Sequence, residues 1–387
     1  MKPAKRLDRI APYMFAELEK RIAAKREQGT DVISLGIGDP DLPTPRHIIE
    51  AMISALNDPG THQYPTNRGR GEFREAVAAF YRSRFGVTLD PATQVIPAIG
   101  GKECIYNINF AYLDAGDAAL ASDPGYPVYT GGPLLAGGEP VLMPLLPERS
   151  FAPDLGAIPA EKLERARVMF LNYPNNPTGA IVPVGLFEQV VAFAREHDLL
   201  VVHDNAYSEL TYDGYVAPSF LATEGALDVG VEVFSLSKSY NMTGWRCAAI
   251  AGNEQAIETY WKLKTNVDSG LFEAIQLAGA AALSGPQDCV EQMCAIYARR
   301  RDLVLGALAD IGIDLEPPKG TIYIWAPVPE GHSSASFAEQ VLERSAVVVS
   351  PGSTYGPHGE GFFRISLTVA DDRLAEAVER MRDSLGG

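Results

Sequence analysis

Residues 231–246 read Val-Glu-Val-Phe-Ser-Leu-Ser-Lys-Ser-Tyr-Asn-Met-Thr-Gly-Trp-Arg, an apolar run that leads into a serine-flanked lysine. The first four residues predict a buried strand, and Arg246 follows Lys238 by eight positions (246 − 238). A second cation and partial removal from water both favour the neutral form of a lysine amine. The neutral amine is a nucleophile. The stretch therefore predicts a nucleophilic Lys238 at the end of a central strand.

Further short apolar runs alternate with helical patterns between residues 50 and 285. These runs are residues 95–99, 118–121, 168–171 and 199–202. Between the last two, Phe187, Val190, Val191 and Ala194 recur at the spacing of a helix with one buried face. Strands that alternate with helices predict a mostly parallel sheet between helices, which is an α/β fold.

The two ends of the chain have a different pattern. Residues 16–28 predict a helix, which the Gly/Pro-rich loop 35–43 follows. After residue 286 the sequence predicts a long helix at 289–311, strands at 320–325, 347–350 and 362–367, and a closing helix at 371–385. We therefore expect a large domain at 49–285 and a smaller α+β domain formed by both ends. In that division, residues 1–48 form an arm and part of the small domain, and residues 286–387 form the rest.

The composition argues against several functional classes. A net charge of −16 over 387 residues argues against nucleic-acid or anionic-membrane partners, which need a basic face. The charged amino terminus lacks a signal-peptide core, and no apolar run approaches the ~20 residues of a membrane helix. The four cysteines form no Cys-x-x-Cys pair and no cluster with histidine. We expect reduced thiols, no metal site and a cytoplasmic location.

Polar residues follow three of the predicted strands. Asn176 comes after strand 168–171, Asp204 after strand 199–202, and Lys238 after strand 231–234. Taken singly, Asn176 or Asp204 is equally typical of a turn. Because ligands bind beyond the carboxyl ends of parallel strands, the three together predict one shared pocket.

Three segments in this order resemble the active site of the class I/II aminotransferases, the fold-type-I pyridoxal-phosphate enzymes. They are Asn176-Pro177-Thr178-Gly179, Asp204-Asn205-Ala206-Tyr207 and the run that contains Lys238. The resemblance implies pyridoxal 5′-phosphate as cofactor, with Lys238 as the catalytic residue that holds it covalently. Asp204 would keep the pyridine nitrogen protonated, so that the ring is an electron sink. Tyr207 and Asn176 would donate to the phenolic oxygen, and Asn176 would also contact the substrate.

The same resemblance implies which residues bind the phosphate of the cofactor and which residue stacks on its ring. The turn at 99–103, with Gly101 and Lys102, connects a strand to a helix whose N–H groups can bind an anion. Alone, it is equally typical of a plain strand–helix turn. The family's phosphate site would be completed by Ser235, Ser237 and Arg246. Tyr126 matches the residue that stacks on the ring, although a tyrosine beside prolines is more often simple packing.

Substrate recognition is expected from the chain ends. Arg364 is a charge inside an apolar strand, and a buried arginine needs an anion. The resemblance implies that this anion is the substrate α-carboxylate, helped by the backbone N–H of Gly38; the alternative is an internal salt bridge. Tyr64 resembles the tyrosine that reaches the cofactor phosphate of a neighbouring subunit, which implies a homodimer with shared active sites.

Segments outside the chemical core are most similar to the LL-diaminopimelate aminotransferases. These segments are residues 10–15, 35–41, 172–179, 239–246 and 266–272. That resemblance implies amino transfer from LL-2,6-diaminopimelate to 2-oxoglutarate, giving tetrahydrodipicolinate and glutamate in lysine biosynthesis. Tyr13 is the leading candidate for the far end of this substrate, with Asn266 and Lys102 as further candidates. Each of them is equally typical of a surface or capping residue.

Other interpretations stay open at this point. Arg68 and Arg70 depart from the related sequences, and they would favour dicarboxylate substrates or form ion pairs between subunits. Aspartate, alanine, aromatic or broad-specificity aminotransferases share the chemical core, as do carbon–sulfur lyases. A cofactor-sensing transcription regulator would need a fused DNA-binding domain with a basic recognition helix. The chain begins within a few residues of the catalytic module, so we expect no such domain.

Overall fold

The structure is a computed structural model that describes residues 1–10, 14–66 and 68–385. Its strands are β1 Ile33–Ser34, β2 Val95–Ile99, β3 Ala118–Asp123, β4 Glu139–Pro144, β5 Ala166–Leu171, β6 Leu200–Asn205, β7 Gly230–Ser235, β8 Cys247–Gly252, β9 Tyr323–Pro327, β10 Val347–Val348, β11 Ser350–Pro351 and β12 Phe362–Ser366. Its α-helices are α1 Met14–Glu27, α2 Arg46–Leu56, α3 Gly71–Phe85, α4 Gly101–Tyr112, α5 Val128–Ala136, α6 Ala160–Leu163, α7 Leu186–Glu196, α8 Ala226–Val229, α9 Leu236–Ser239, α10 Glu254–Val267, α11 Glu273–Ser284, α12 Asp288–Asp310, α13 Ser334–Ser345 and α14 Asp371–Leu385.

A seven-stranded sheet forms the centre of the molecule, in the order β2-β8-β7-β6-β5-β3-β4. β4, β3, β5, β6 and β7 run parallel to one another, whereas β8 is antiparallel to both β2 and β7. The α/β class and the mostly parallel sheet are thus confirmed. Since β5, β6 and β7 are adjacent and parallel, their carboxyl ends meet at one edge.

Both faces of this sheet are buried. Along β6, Val201 belongs to one apolar cluster and Val202 to another, because neighbouring side chains of a strand point to opposite faces. Helix α7 covers one face with the apolar side chains predicted from its spacing, among them Phe187 and Val190. Helix α4 covers the other face, with Ile105 and Ile108 in the second cluster. Burial on both faces explains why the parallel strands read as continuous apolar runs.

Both chain ends contribute to two smaller sheets. β1 pairs in parallel with β10, and β11, β12 and β9 form an antiparallel sheet. The pairing Ile33↔Val347 joins the amino-terminal region to the carboxyl-terminal one. It supports a small domain built from both ends, and the boundaries near residues 48 and 285 stay a prediction.

The elements differ from the sequence prediction at a few places. β8 was not predicted, because its sequence Cys-Ala-Ala-Ile-Ala-Gly has only one β-branched residue, Ile250, among small residues with little strand preference. The predicted strand 347–350 is two short strands separated at Val349, and strand 320–325 begins only at Tyr323. Asp204, predicted to follow its strand, lies inside β6 one residue before its end. Across the described ranges, no helix combines the length and the apolar character needed to cross a membrane.

Candidate active site

A cavity of about 690 Å³ lies at the carboxyl ends of β5, β6 and β7. It brings together nearly all of the residues that the sequence predicted for the site. Its lining includes Gly38, Gly101, Lys102, Tyr126, Asn176, Asp204, Tyr207, Ser235, Ser237, Lys238, Arg246 and Arg364. Residues that lie more than 300 positions apart in the chain thus share one pocket, because both chain ends fold over the edge of the sheet.

Tyr64 is not brought to this cavity: it is 87% exposed and is not part of the lining. Tyr13 lies outside the described residues. The role of each therefore stays a prediction.

Lys238 lies on α9, the single turn that follows β7 directly. The Ser235 hydroxyl accepts a hydrogen bond from the Ser237 backbone N–H at 3.3 Å and caps this turn. The Lys238 Nζ donates to the Gly38 carbonyl oxygen at 2.8 Å. Burial lowers the pKa of Lys238, and the nearby Arg364 acts in the same direction. The amine therefore loses its proton more readily than a surface lysine.

Asp204, the residue before the last of β6, lines the cavity. Its Oδ2 accepts a hydrogen bond from the Tyr129 hydroxyl at 2.8 Å, and the Tyr129 ring stacks on Phe170. Burial raises the pKa of Asp204 to about 6, against an opposing effect of the Tyr129 hydrogen bond. A carboxylate held in a buried place gains most from a cationic partner, which the cavity can admit. Tyr129 was missed in the sequence, although it follows Tyr126 by three positions (129 − 126) in the same motif.

Hydrogen bonds of the Asn172 side chain connect the carboxyl ends of β5 and β6. The Asn172 Nδ2 donates to the Asp204 carbonyl oxygen at 2.7 Å, and the Asn172 Oδ1 accepts from the Asn176 backbone N–H at 2.7 Å. The hydroxyls of Tyr207 and Tyr323 lie 3.2 Å apart. Asn172 and Tyr323, both in the cavity lining, were also missed. No motif separates them in sequence from ordinary structural residues.

Arg364 is buried without a carboxylate partner in the described part of the chain. Its Nη1 donates to the Asn176 Oδ1 at 2.8 Å and its Nη2 to the Gly36 carbonyl oxygen at 2.9 Å. The guanidinium lies 3.9 Å from the ring centroid of Tyr323 and 4.7 Å from that of Tyr355. Its Nε is buried and lacks a hydrogen-bond partner among the described residues. The structure therefore contradicts the internal salt bridge and leaves a positive charge that requires an anion.

The turn between β2 and α4 forms the opposite end of the cavity. Gly100 has a φ of +80°, and a side chain there would collide with the Arg246 guanidinium. Glycine thus allows Arg246 to lie directly against the first turn of α4. The Glu103 carboxylate accepts from the Ile99 backbone N–H at 3.0 Å, which fixes the turn. A helix N-terminus beside an arginine and two serines suits a phosphate group.

The two arginines that depart from the related sequences, Arg68 and Arg70, form ion pairs within the chain. Arg68 pairs with Glu258 and stacks at 4.5 Å over Trp261. Arg70 pairs with Glu72 at 2.7 Å and Glu273 at 2.8 Å. Neither arginine lines the cavity. Another far-end candidate, Asn266, is likewise outside the lining, and its Nδ2 caps the Lys262 carbonyl oxygen at 2.9 Å.

Comparison with known proteins agrees with this geometry. Residues 30–381 match the family model described as aminotransferase class I and II. The LL-diaminopimelate aminotransferase of Moorella thermoacetica is 52% identical over 386 residues, covering 100% of this chain and 99% of that protein. The LL-diaminopimelate aminotransferase of Desulforudis audaxviator is 55% identical over 383 residues, covering 99% and 98%.

Solved structures agree with the fold over the same length. Substrate-bound BacF from Bacillus subtilis has a TM-score of 0.95 and 39% identity, covering 99% of this chain and 98% of that chain. A double mutant of Thermus thermophilus aspartate aminotransferase has a TM-score of 0.92 and 30% identity, covering 100% of both chains. Family model, full-length relatives and cavity agree, and the chain belongs to the class I and II aminotransferase family.

Proposed function

We propose that this chain transfers the amino group of LL-2,6-diaminopimelate to 2-oxoglutarate with pyridoxal 5′-phosphate as cofactor. The products are tetrahydrodipicolinate and glutamate, and the reaction belongs to lysine biosynthesis. Identities of 52% and 55% to two full-length LL-diaminopimelate aminotransferases support the substrate. The observation that carries the chemistry is a half-buried Lys238 with a lowered pKa in a cavity that also contains Asp204 and Arg364.

The residues present fit pyridoxal phosphate at both ends of the cavity. Asp204 is a buried carboxylate with a raised pKa, and it suits the protonated pyridine nitrogen. The first turn of α4, with Arg246 against Gly100, suits the phosphate. When bound, the cofactor supplies an electron sink for the negative charge that develops on the substrate Cα. We assign Lys238 to its covalent attachment.

The remaining cofactor contacts come from the walls of the cavity. Tyr207 and Asn176 reach the lining from the loops after β6 and β5. We assign them to the phenolic oxygen, because each carries a hydrogen-bond donor. We assign Tyr126 to the face of the ring. Further phosphate donors are Gly101, Lys102, Ser235 and Ser237.

Side chains and backbone groups of the protein bind the carboxylate of the amino acid and accept its proton. Arg364 binds the α-carboxylate, and its stacking on Tyr323 and Tyr355 fixes the plane in which it does so. We assign the Gly38 backbone N–H to the same carboxylate. The Lys238 Nζ, neutral more often than a surface lysine amine, accepts the proton from the substrate Cα.

We also propose a homodimer in which Tyr64 completes the cavity of the partner subunit. Ile49, Ile53 and Leu56 are exposed along one face of α2, near Tyr64 in sequence. An exposed apolar stripe of this kind is typical of a protein–protein interface. A tyrosine that is exposed in the single chain is available to a second copy.

A panel of amino donors with 2-oxoglutarate tests the proposed reaction. We expect LL-2,6-diaminopimelate to have a higher kcat/KM than alanine, aspartate or aromatic amino acids. A large advantage for one of these donors would contradict the diaminopimelate assignment and favour the corresponding aminotransferase. Release of pyruvate and ammonia from a sulfur amino acid would instead indicate a carbon–sulfur lyase.

The Lys238→Ala variant tests the cofactor separately. We expect wild-type protein mixed with pyridoxal phosphate to gain visible absorbance from the bound cofactor. In Lys238→Ala we expect this band to change, and turnover to fall by at least ~100-fold, the contribution of a positioned base. Full turnover without this amine would overturn the proposed chemistry whatever the donor is.

A further inference from the structure

The charged side chains of the cavity do not all have a role in the proposed chemistry. Its cations are Lys102, Lys238, Arg246 and Arg364, and its carboxylates among the described residues are Asp39 and Asp204. Asp204 is bonded to Tyr129 on the cavity floor and faces the cofactor position. Asp39 is therefore the carboxylate that remains for a substrate.

Asp39 is placed where a substrate can reach it. It directly follows Gly38, whose carbonyl oxygen accepts the 2.8 Å hydrogen bond from the Lys238 Nζ. Its charge raises the pKa of Lys238 and opposes the larger effect of burial. Within the described part of the chain, the exposed Asp39 makes no hydrogen bond or ion pair. It is thus a solvated carboxylate on the wall that holds the reacting amine.

The loop that carries Asp39 is fixed on both sides. The Ile37 carbonyl oxygen accepts a hydrogen bond from the Thr368 hydroxyl at 3.1 Å. Two residues beyond Asp39, the Asp41 carboxylate accepts two hydrogen bonds from Arg300, at 2.7 and 2.9 Å. An anchored backbone presents Asp39 to the cavity at a low entropic cost. Asp41, by contrast, is committed to its structural ion pair.

We propose that Asp39 binds the distal ammonium group of the donor and thereby selects diamino dicarboxylates over monoamino acids. The inference rests on the proposed function, since LL-2,6-diaminopimelate carries an ammonium and a carboxylate at each end. Arg364 takes the carboxylate at the reacting end. The far end then brings a second ammonium into the cavity, and its ion partner is Asp39.

This assignment predicts a selective defect. The glutamate and 2-oxoglutarate of the second half-reaction have no distal ammonium, so Asp39 does not attract them. L-2-Aminopimelate has the carbon chain and both carboxylates of diaminopimelate and lacks the second amine. A carboxylate that recognises the distal ammonium therefore distinguishes these two donors, and it leaves glutamate unaffected.

The experiment compares wild type, Asp39→Asn and the control Asp314→Asn on these three donors. Asp314 is an exposed carboxylate outside the cavity lining, and its substitution makes the same change of charge. For Asp39→Asn we expect kcat/KM for LL-2,6-diaminopimelate to fall by roughly 10- to 100-fold, the range of one charge-assisted hydrogen bond. For L-2-aminopimelate and glutamate we expect changes below about 3-fold, which also shows that the variant is folded.

The possible outcomes separate the two claims. If wild type uses diaminopimelate and Asp39→Asn keeps its preference over L-2-aminopimelate, the role of Asp39 is wrong and the proposed function stands. An equal loss on all three donors would assign Asp39 a general role and overturn its selectivity. If wild type does not use diaminopimelate at all, both proposals fail together.

Discussion

At the scale of single residues, one physical cause acts in opposite directions on the two central groups of the cavity. Burial disfavours charge, so it lowers the pKa of Lys238 and raises the pKa of Asp204 to about 6. Without a bound cation, Asp204 is therefore a source of instability whenever it is ionised. A protonated heterocycle removes this penalty, because it supplies the positive charge that the carboxylate lacks.

The pH dependence of stability tests the state of Asp204 in cofactor-free protein. Its pKa is about 6 in the folded protein against 3.8 for the free group, so between pH 4 and 6 the folded state binds more protons than the unfolded state. The Asp204 contribution to unfolding free energy therefore falls as pH rises through this window, by about 3 kcal/mol in total. We expect Asp204→Asn to be more stable than wild type at pH 8 by this order of magnitude.

Denaturant unfolding at a series of pH values measures this difference. It should shrink toward zero below about pH 3, where Asp204 is protonated in both states, and level off above about pH 7, where it is ionised in both. A stability difference that is constant from pH 4 to pH 8 would show that Asp204 does not titrate as described.

Chemical motifs predicted only part of the candidate site. Lys238, Asp204 and Arg364 could be found, because a charge at a strand end or inside an apolar strand is unusual in any sequence. Tyr129 and Tyr323 could not be found in this way, since a buried tyrosine is ordinary. Their positions depend on contacts across the sheet edge and between the two chain ends, which the local sequence does not encode.

At the scale of elements, the sequence predicted most accurately the long helices whose apolar residues recur at helical spacing. The helices predicted at 289–311 and 371–385 lie within one residue of α12 and α14, because both are long and amphipathic. β8 was missed, since a strand buried between two others can be built from small residues that carry no strand signal. Pairing with β2 and β7 on both sides, rather than local preference, stabilises it.

The turn between β2 and α4 gives a prediction at this scale. In Gly100→Ala, the φ of +80° and the collision with Arg246 both act against the new side chain. We expect a loss of about 1 kcal/mol in unfolding free energy from the backbone conformation. We also expect at least a ~10-fold weaker affinity for pyridoxal phosphate, because Arg246 is displaced from the helix N-terminus.

The control for this turn is Gly137→Ala. Gly137 also has a positive φ, of +98°, but nothing lies within 4 Å of the added carbon. We expect it to lower stability as Gly100→Ala does while leaving cofactor affinity unchanged, as measured by absorbance titration. Equal affinities for the two variants would mean that the cofactor phosphate does not bind at this turn.

At the scale of the whole molecule, the two chain ends and the central sheet each hold part of the cavity. Arg364 belongs to β12, and Gly38 to the amino-terminal loop, whereas Asp204 lies near the end of β6 and Lys238 follows β7 in the central sheet. A substrate carboxylate on Arg364 therefore joins the two parts of the chain. Tyr64 is the exception, since it is exposed and does not line the cavity of its own chain.

Subunit mixing tests whether Tyr64 acts across a dimer. In hybrids of Lys238→Ala and Tyr64→Ala subunits, one cavity carries both defects and the other carries neither. We expect each variant alone to have little activity at limiting cofactor. An equal mixture, refolded or co-expressed, should recover about a quarter of wild-type activity for random pairing in a twofold dimer. Size-exclusion chromatography with light scattering establishes that the hybrids form.

The matched control mixes Lys238→Ala with Asp204→Asn. Both residues line the cavity of their own chain, so every cavity of such a hybrid keeps one defect and mixing should restore no activity. Recovery with Tyr64→Ala and none with Asp204→Asn requires that the tyrosine and the lysine of one working site come from different subunits. Hybrids that form and stay inactive in both mixtures would mean that Tyr64 and Lys238 of one chain serve the same cavity. Full activity of Tyr64→Ala by itself would assign Tyr64 to the surface. Either result would overturn the role of Tyr64 across the dimer.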